Sequence, residues 1–305
     1  MNPDMKKTLL TTLAAILVTI PALAGTFSND YRLSGFTGIR ATSLYNIELS
    51  PSSTFSVSIE APDFMEPYLI VEVSRNQLVL RTKELPRSIS RKLSDERPGS
   101  IRAIVKMPVL ESVSLSGVAS LNADGDFPAL RDKAFQLDMS GASHAKGLSL
   151  SAPSAVISLS GATEAGITGR FTKVSLDISG AGKVKMDVET SNLEAELTGS
   201  ARVDLNGSFK EVSIEASGAS RVEMKSDVML SELEIEGSGA SSIDTRSARA
   251  QEVSVELSGA ANCKVYAIRS FAVEASGAST CSYEAEPDTR VDIIQIARGA
   301  SLRKL

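Results

Sequence analysis

The sequence predicts an all-β protein folded as a parallel β-helix, a solenoid in which every turn of the chain adds one rung to a stack. A Ser-Gly-Ala motif recurs along two thirds of the chain at intervals of about 20 residues. Between the motifs apolar and polar residues alternate, which is the period of a half-buried strand. Only 5% of the 305 residues are aromatic and none is Trp, so the core must consist of many aliphatic side chains.

The first 24 residues have the pattern of a secretory signal peptide, which we predict to span residues 1–24. Lys6 and Lys7 precede an apolar run at 9–20, and Ala22-Leu23-Ala24 forms a cleavage signal before Gly25. The alternative is an uncleaved membrane anchor, but the run is short for a span and ends at Pro21. We therefore expect an exported protein, in the periplasm or at the cell surface, that spans no membrane after cleavage.

Residues 25–108 form an N-terminal β region, which we expect to be continuous with the solenoid and to cap its first rung irregularly. Strand patterns occur in "YNIELS", "FSVSIEA", "YLIVEVS" and "NQLVLRT", although the 20-residue period fails here. We interpret the charged stretch at 81–100 as a solvated loop. A cap is expected because the open end of a β-helix is an edge with which other chains can pair.

Residues 109–305 contain the repeat itself. Because glycine accepts backbone angles closed to other residues, we interpret each motif as a corner of the coil. The small neighbours of the glycine leave room at the corner, and stacked Ser hydroxyls are expected to hydrogen-bond along the column. The central glycines lie 18–24 residues apart and are Gly117, Gly141, Gly161, Gly180, Gly199, Gly218, Gly239, Gly259, Gly277 and Gly299.

Apolar residues recur four and two positions before each glycine and four positions after it, so we expect these columns to point inward. Around Gly218, for example, they are Ile214, Ala216 and Val222, followed by Met224. One turn of about 20 residues cannot bury such a face alone, whereas stacked turns form a continuous core.

The last segment, at 290–305, loses the register of the repeat. Ile294 and Ile296 stand where polar residues are expected, and the segment ends with Arg298, Arg303 and Lys304. Either these cations protect the edge from pairing, or the apolar face of the segment pairs with another chain. One expectation is therefore an oligomer formed through the C-terminal edge.

An acidic column three residues before the glycines is the candidate binding face. Its side chains are expected to point outward about 4.8 Å apart, where neighbours repel by up to about 1 kcal/mol in water. A basic column three residues after the glycines is a candidate to offset this charge. The alternatives are a solvated charged face or a surface for divalent cations or cationic ligands. The candidate residues are Asp138, Asp177, Glu196, Glu215, Glu236, Glu256, Glu274, Lys183, Arg202 and Arg221.

The two cysteines, Cys263 and Cys281, are predicted to occupy one inward column in consecutive rungs. They are either buried thiols that pack as small apolar groups or a rung-to-rung disulfide in an oxidising compartment. Their separation does not match a C-x₂-C metal site. A flat row of carboxylates also supplies few of the six to eight oxygens that Ca²⁺ prefers. We predict no cofactor and no dedicated metal site.

Catalysis is not predicted, although polysaccharide lyases and pectinases are also β-helices. Such enzymes need a cleft built from long insertions, and the longest excursion here is only "DGDFPALRDK". The single histidine, His144, has no partner motif, and no nucleotide-binding fingerprint occurs. Nucleic acid is not an expected partner, because the net charge is −5 and no basic stripe is present.

The sequence also resembles a known family. The strand pair "YLIVEVSRNQLVLRT", the segment "IRAIVKMPVLESVSLSGVASL" and the rungs that follow are similar to the putative auto-transporter adhesin, head GIN domain family, over roughly 35–300. The resemblance implies a right-handed β-helix in an exported bacterial protein, with adhesion inferred for the family, and it implies no catalytic residue. We therefore expect a non-catalytic envelope or surface protein that binds a glycan or protein ligand. The alternatives are a carbohydrate-active enzyme of the lyase or pectinase type and an envelope scaffold or assembly protein.

Overall fold

The computed structural model describes residues 25–94 and 101–305, so the predicted signal peptide lies outside the described residues. The strands of the described chain wind into a β-solenoid of about ten turns, about 20 residues apart, which confirms the predicted β-helix. Neither helix within the described ranges has the length and apolar character needed to span a bilayer.

The N-terminal region mixes parallel and antiparallel pairing. Its elements are β1 Thr26–Tyr31, β2 Gly38–Ala41, β3 Tyr45–Pro51, β4 Ser56–Pro62, a 3₁₀ helix Asp63–Tyr68, β5 Leu69–Ser74, β6 Gln77–Thr82, α1 Arg87–Ser94 and β7 Ile101–Met107. Strands β2 and β3 pair in parallel with the first repeat strands and so belong to the stack. Strand β4 pairs antiparallel with both β1 and β7, and β5 forms a hairpin with β6.

Part of the charged stretch that the sequence predicts as a loop is helical. Helix α1 packs its apolar residues, Ile89 and Leu93, against the core, and Leu93 is buried. The Nζ atom of Lys92 lies 4.3 Å from the centroid of the Phe64 ring. The loop interpretation is therefore wrong for Arg87–Ser94, because apolar residues four positions apart give this short helix a face that can be buried.

The repeat region consists of parallel strands that are in register apart from four local shifts. Strand β11 bends around the coil without interruption for 18 residues and pairs with β12, and β12 pairs with β13 from Glu164–Lys183 to Gly180–Gly199. The strands are β8 Ser112–Leu115, β9 Ser120–Ala123, β10 Phe135–Met139, β11 His144–Gly161, β12 Glu164–Gly180, β13 Lys183–Gly199, β14 Arg202–Ala216, β15 Arg221–Lys225, β16 Leu230–Gly237, β17 Ser242–Ser247, β18 Ala250–Leu257, β19 Asn262–Ala275, β20 Thr280–Ala285, β21 Arg290–Ile296 and β22 Ser301–Lys304.

The motif glycines form the corners, as predicted. All ten have positive φ, between +66° and +102°. At each corner the main chain bonds to the previous rung; the N–H of Ala219, for example, donates to the carbonyl of Gly199 at 2.7 Å. Four of the hydroxyls that precede the glycines, those of Ser160, Thr198, Ser217 and Ser276, donate to main-chain carbonyls of the previous rung at 3.3–3.4 Å. These four hydroxyls therefore bond from rung to rung along the column, and the acceptor is a main-chain carbonyl.

The predicted apolar columns line a continuous core. Ile214, Ala216, Val222 and Met224 are all at most 3% exposed, and the polar residues between them face outward. The structure adds an inward column that the sequence did not predict, namely the second residue after each glycine. It is small in every rung, and its buried polar members are Ser143, Thr163, Ser220, Ser241 and Ser279.

The last rung regains the register of the repeat through a β-bulge. Ile293 pairs with Val273, the register then shifts by one residue, and Ile296 pairs with Ala275 of the inward column. The expectation that Ile296 replaces an outward polar residue is therefore wrong, because the bulge absorbs one residue. Ile294 is 66% exposed. An oligomer through this edge stays a prediction.

Candidate functional site

The predicted acidic column forms a ladder of outward side chains on one side of the corners. From Asp138 the ladder continues through Ser158 to Asp177, and every member pairs in register with the next. After Asp177 it consists of glutamates only, in the order Glu196, Glu215, Glu236, Glu256 and Glu274. Parallel pairing therefore places the like charges about 4.8 Å apart, one above another.

Two further columns on the same strands add to this charge. We define the acidic face as the outward positions three, five and seven residues before each of five glycines. These glycines are Gly199, Gly218, Gly239, Gly259 and Gly277. Ten of these fifteen positions carry carboxylates, and none carries Lys, Arg or His. Two grooves of about 540 and 320 Å³ run along the face. The members outside the predicted column are Glu194, Glu211, Glu232, Glu234 and Glu252.

The sequence pattern contained the signal for these additional carboxylates. They stand five and seven residues before the same glycines, and an outward position recurs every second residue of a strand. The column nearest the corner is the more conspicuous one, because its acidic residues are unbroken over the last five rungs, whereas Asn192, Ser213, Ser254, Ser270 and Ala272 interrupt the other two columns.

Burial and neighbouring charges together perturb the pKa of one carboxyl in the acidic face. The pKa of Glu236 is raised above its usual value, first by partial burial and then by the charges of Glu215, Glu256 and Glu234. Two of the ten carboxylates have a lysine partner: Lys173 lies 2.7 Å from Glu194, and Lys210 lies 3.6 Å from Glu211. Within the described chain no ion pair reaches the ladder from Asp138 to Glu274.

The basic column of the predicted site does not meet the acidic column. Lys183, Arg202 and Arg221 stack on one another, in register, on the strands that follow the corners. Their nearby acids belong to the same side, and Arg221 lies 3.9 Å from Glu223. The structure therefore places the two halves of the candidate site on opposite sides of the Ser-Gly-Ala corner, so the basic column does not neutralise the acidic one.

The acidic face is arranged in rows and not as a chelating cluster. Among the described residues, no three His, Cys, Asp or Glu side chains converge so that they could hold a metal ion. In-register strands keep each carboxylate beside its neighbour, whereas Ca²⁺ prefers six to eight oxygens around one point. The face therefore matches a ligand with several separate positive charges better than a single ion.

Two sequence features could have indicated an enzyme, namely His144 and the excursion after β9. In the described part of the chain they do not line a common cleft. His144 is half-buried in the ladder between Ser120 and Glu164. The excursion after β9 lies against the solenoid, because Phe127 and Leu130 are buried in the core. Among the described residues His144 makes no side-chain hydrogen bond or ion pair, and its neighbour in register, Glu164, lies 3.5 Å from Lys146 instead.

Comparison with known proteins identifies the family. A family model described as "Putative auto-transporter adhesin, head GIN domain" matches residues 35–227 and 183–287. The chain belongs to this head GIN domain family. The resemblance of the strand pair and the Ser-Gly-Ala rungs to that family is therefore confirmed. A search among curated proteins gave no match.

Solved structures similar to this head GIN domain chain are distant in sequence. A crystal structure named as a putative lipid binding protein from Parabacteroides distasonis is 13% identical, with a TM-score of 0.47 over 92% of this chain and 96% of that chain. A putative adhesin from the same species is 13% identical, with a TM-score of 0.48 over 92% and 98% of the two chains. A putative adhesin from Bacteroides fragilis is 13% identical, with a TM-score of 0.33 over 92% and 97%.

Proposed function

We propose that this head GIN domain protein is an exported or cell-surface binding protein of the adhesin type, without catalytic activity, whose acidic face binds a positively charged polymer. The observation that carries the proposal is the composition of that face, in which ten of fifteen outward positions carry carboxylates and none carries a basic side chain. The description of the family supports the adhesin-type role.

A cationic partner would relieve a repulsion that the protein leaves largely uncompensated. Two unit charges about 4.8 Å apart repel by up to about 1 kcal/mol in water. The ladder from Glu196 to Glu274 repeats this contact in every rung, and after partial burial the neighbouring charges add to the raised pKa of Glu236. Amino or guanidinium groups of a ligand bound along the ladder would attract the carboxylates and offset their mutual repulsion. The same attraction would accelerate the association of ligand and protein at low salt.

The shape of the acidic face favours an extended ligand over a compact one. The face extends over five rungs, and its grooves follow the rows of carboxylates. Pockets for small molecules are usually lined by apolar side chains, whereas these grooves are lined mainly by carboxylates and hydroxyls. The common chemistry of the ligand is therefore a chain with regularly spaced positive charges, supplied either by an amino-sugar polymer or by a basic peptide segment.

The proposal is tested by calorimetric titration of the full chain with chitosan oligosaccharide and, separately, with oligolysine at low ionic strength. We expect the variant Glu196→Gln/Glu215→Gln/Glu236→Gln to lose at least about tenfold in affinity, because roughly 1.4 kcal/mol of attraction suffices for this factor. Comparison of the two titrations shows which source of positive charge is preferred.

A matched control removes the same number of charges from the other side of the corners. In Asp187→Asn/Asp204→Asn/Glu223→Gln the net charge changes equally, but the acidic face is intact. We expect this control to lose clearly less affinity than the first variant, because its charges lie on the other side of the corner, farther from the ligand, and Coulomb attraction falls with distance. Equal losses in both variants, or no heat with either polymer, would contradict the proposal.

A further inference from the structure

The two cysteines stack directly on one another inside the solenoid. Cys263 of β19 and Cys281 of β20 are paired residues in parallel register, and they are 1% and 0% exposed. The same inward column holds Val203, Val222 and Ile243 in the preceding rungs. The cysteines are the only two in the chain, and the structure records both as free thiols.

Their geometry is compatible with a covalent bond. Neighbouring strands lie about 4.8 Å apart, which is within the range of roughly 4.4–6.8 Å that disulfides allow between Cα atoms. Cys263 and Cys281 are direct partners in the parallel register and both are buried in the same inward column, so the two side chains lie side by side. Only a local approach of the two rungs is then needed to bring the sulfurs to bonding distance.

We propose that Cys263 and Cys281 form an intramolecular disulfide that joins two consecutive rungs when the protein folds in an oxidising compartment. The oxidant is a disulfide, either oxidised glutathione or the active-site disulfide of a thiol oxidoreductase. One cysteine thiolate attacks it, forms a mixed disulfide and releases one thiol. The second cysteine attacks the mixed disulfide, forms the Sγ–Sγ bond and releases the second thiol, so two electrons and two protons pass to the oxidant.

The bond forms during folding and not on the finished solenoid. In the folded chain, the hydrogen bond to Cys281 and burial raise the pKa of Cys263 well above its usual range, which keeps the thiol protonated and unreactive. Both sulfurs are also shielded from any oxidant. Before β20 closes over β19, both thiols are accessible and exchange is possible.

The position of the pair gives the bond a structural effect. Strand β20 is covered on its outer side by β22, and the last rung leaves Ile293 56% exposed. Rungs near the end of a solenoid have fewer neighbours and open more easily than central ones. A bond between Cys263 and Cys281 would tie β20 to the interior and would also restrict the unfolded chain, since it closes a loop.

The test begins from the reduced, unfolded full chain, which is refolded in an oxidising glutathione buffer. The product is then denatured, alkylated without reductant and weighed by mass spectrometry. We expect a monomer with no alkylated cysteine and a mass lower by two hydrogens than that of the reduced chain. The melting temperature should exceed that of the same protein refolded in reductant by about 5 °C.

Two variants make the result decisive. In Cys263→Val/Cys281→Val, which inserts the residue found in this column at Val203 and Val222, the melting temperature should not respond to reductant. In Cys281→Val, the remaining thiol should be alkylated, which shows that the assay detects free cysteines. Two alkylated cysteines in the unchanged protein after oxidative refolding, or a bond only between molecules, would overturn the proposal.

Discussion

At the residue scale, the rungs differ in whether the residue two positions after the corner glycine has a hydrogen-bond partner. In this inward column Ser220 donates its hydroxyl to the carbonyl of Ser217 at 2.7 Å. The hydroxyl of Ser241, one rung later, is buried without a hydrogen-bond partner within the described chain, as are those of Ser143 and Thr163. Residues of the same type in the same column therefore contribute to stability with opposite sign, because an unpaired buried hydroxyl keeps its desolvation penalty.

This difference predicts opposite effects of the same substitution. Ser241→Ala should raise the free energy of unfolding by about 1 kcal/mol, because it removes a buried polar group that has no partner. Ser220→Ala should lower it by about 1 kcal/mol, because it breaks a hydrogen bond. Urea denaturation of the two variants measures both effects, and each variant serves as the control for the other. A loss of stability in Ser241→Ala would contradict the assignment.

At the scale of the element, the corner is the part of the fold that tolerates least change. At Gly199 φ is +87°, and a Cβ atom would lie 2.6 Å from the carbonyl oxygen of Gly180. Gly166, in the middle of β12, has no atom within 4 Å of a Cβ position and lacks a positive φ. Glycine is thus required by two independent constraints at the corner and by neither within that strand.

The corner predicts a contrast between two glycine substitutions. Gly199→Ala should lower the free energy of unfolding by about 2–3 kcal/mol, because the side chain needs both an unfavourable left-handed conformation and displacement of a neighbouring backbone. Gly166→Ala should be neutral or stabilising by up to about 0.5 kcal/mol, since alanine restricts the unfolded chain. Guanidinium denaturation monitored by circular dichroism compares them, and similar losses in both would refute the corner argument.

The elements that the sequence predicted well are those that repeat. Alternation around Gly218 identified Ile214 and Val222 as inward residues, because ten copies of one pattern reinforce one another. Helix α1 occurs once and follows no period, and although the sequence predicts a strand at β4, no repeat indicates that this strand pairs antiparallel. The bulge at Ile294 was equally hidden, because its effect is a change of register that appears only when β21 is placed on β19.

At the scale of the whole molecule, the strands before the Ser-Gly-Ala corners and the strands after them differ in the charge of their outward side chains. The strands before the corners carry the acidic face, whereas the strands after them alternate in sign and form ion pairs such as Lys146–Glu164 at 3.5 Å. The sequence predicted the acidic column correctly as an outward row. It could not show that the basic column turns away, because residues three before and three after a glycine are close in sequence but the corner separates their directions.

The partial burial of Glu236 and the repulsion from its acidic neighbours predict a pH-dependent gain in stability from one substitution. The folded pKa of Glu236 is raised, so its ionisation destabilises the fold, and this penalty is absent below the unfolded pKa of about 4.3 and complete above the folded pKa. Glu236→Gln should therefore raise the melting temperature at pH 7, and the gain should vanish as the pH falls below about 4.

The control for this prediction is Glu223→Gln on the other side of the corner. Glu223 lies 3.9 Å from Arg221, so its removal should bring no gain at pH 7. Added salt should reduce the difference between Glu236→Gln and the unchanged protein, because screening weakens the repulsion. Calorimetric scans at several pH values measure these shifts, and an equal gain in both variants would exclude repulsion within the face as the cause.

The unbroken register between β12 and β13 has a consequence for how such a protein changes length during evolution. Gly180 and Gly199 are equivalent corners, and the N–H groups of Ala181 and Ser200 bond to their preceding rungs in the same manner. Loss or duplication of residues 181–199 would thus join one corner to an identical one and leave every other rung intact. Whole rungs are the natural unit of insertion and deletion, and each one shortens or extends the row of carboxylates by a single step.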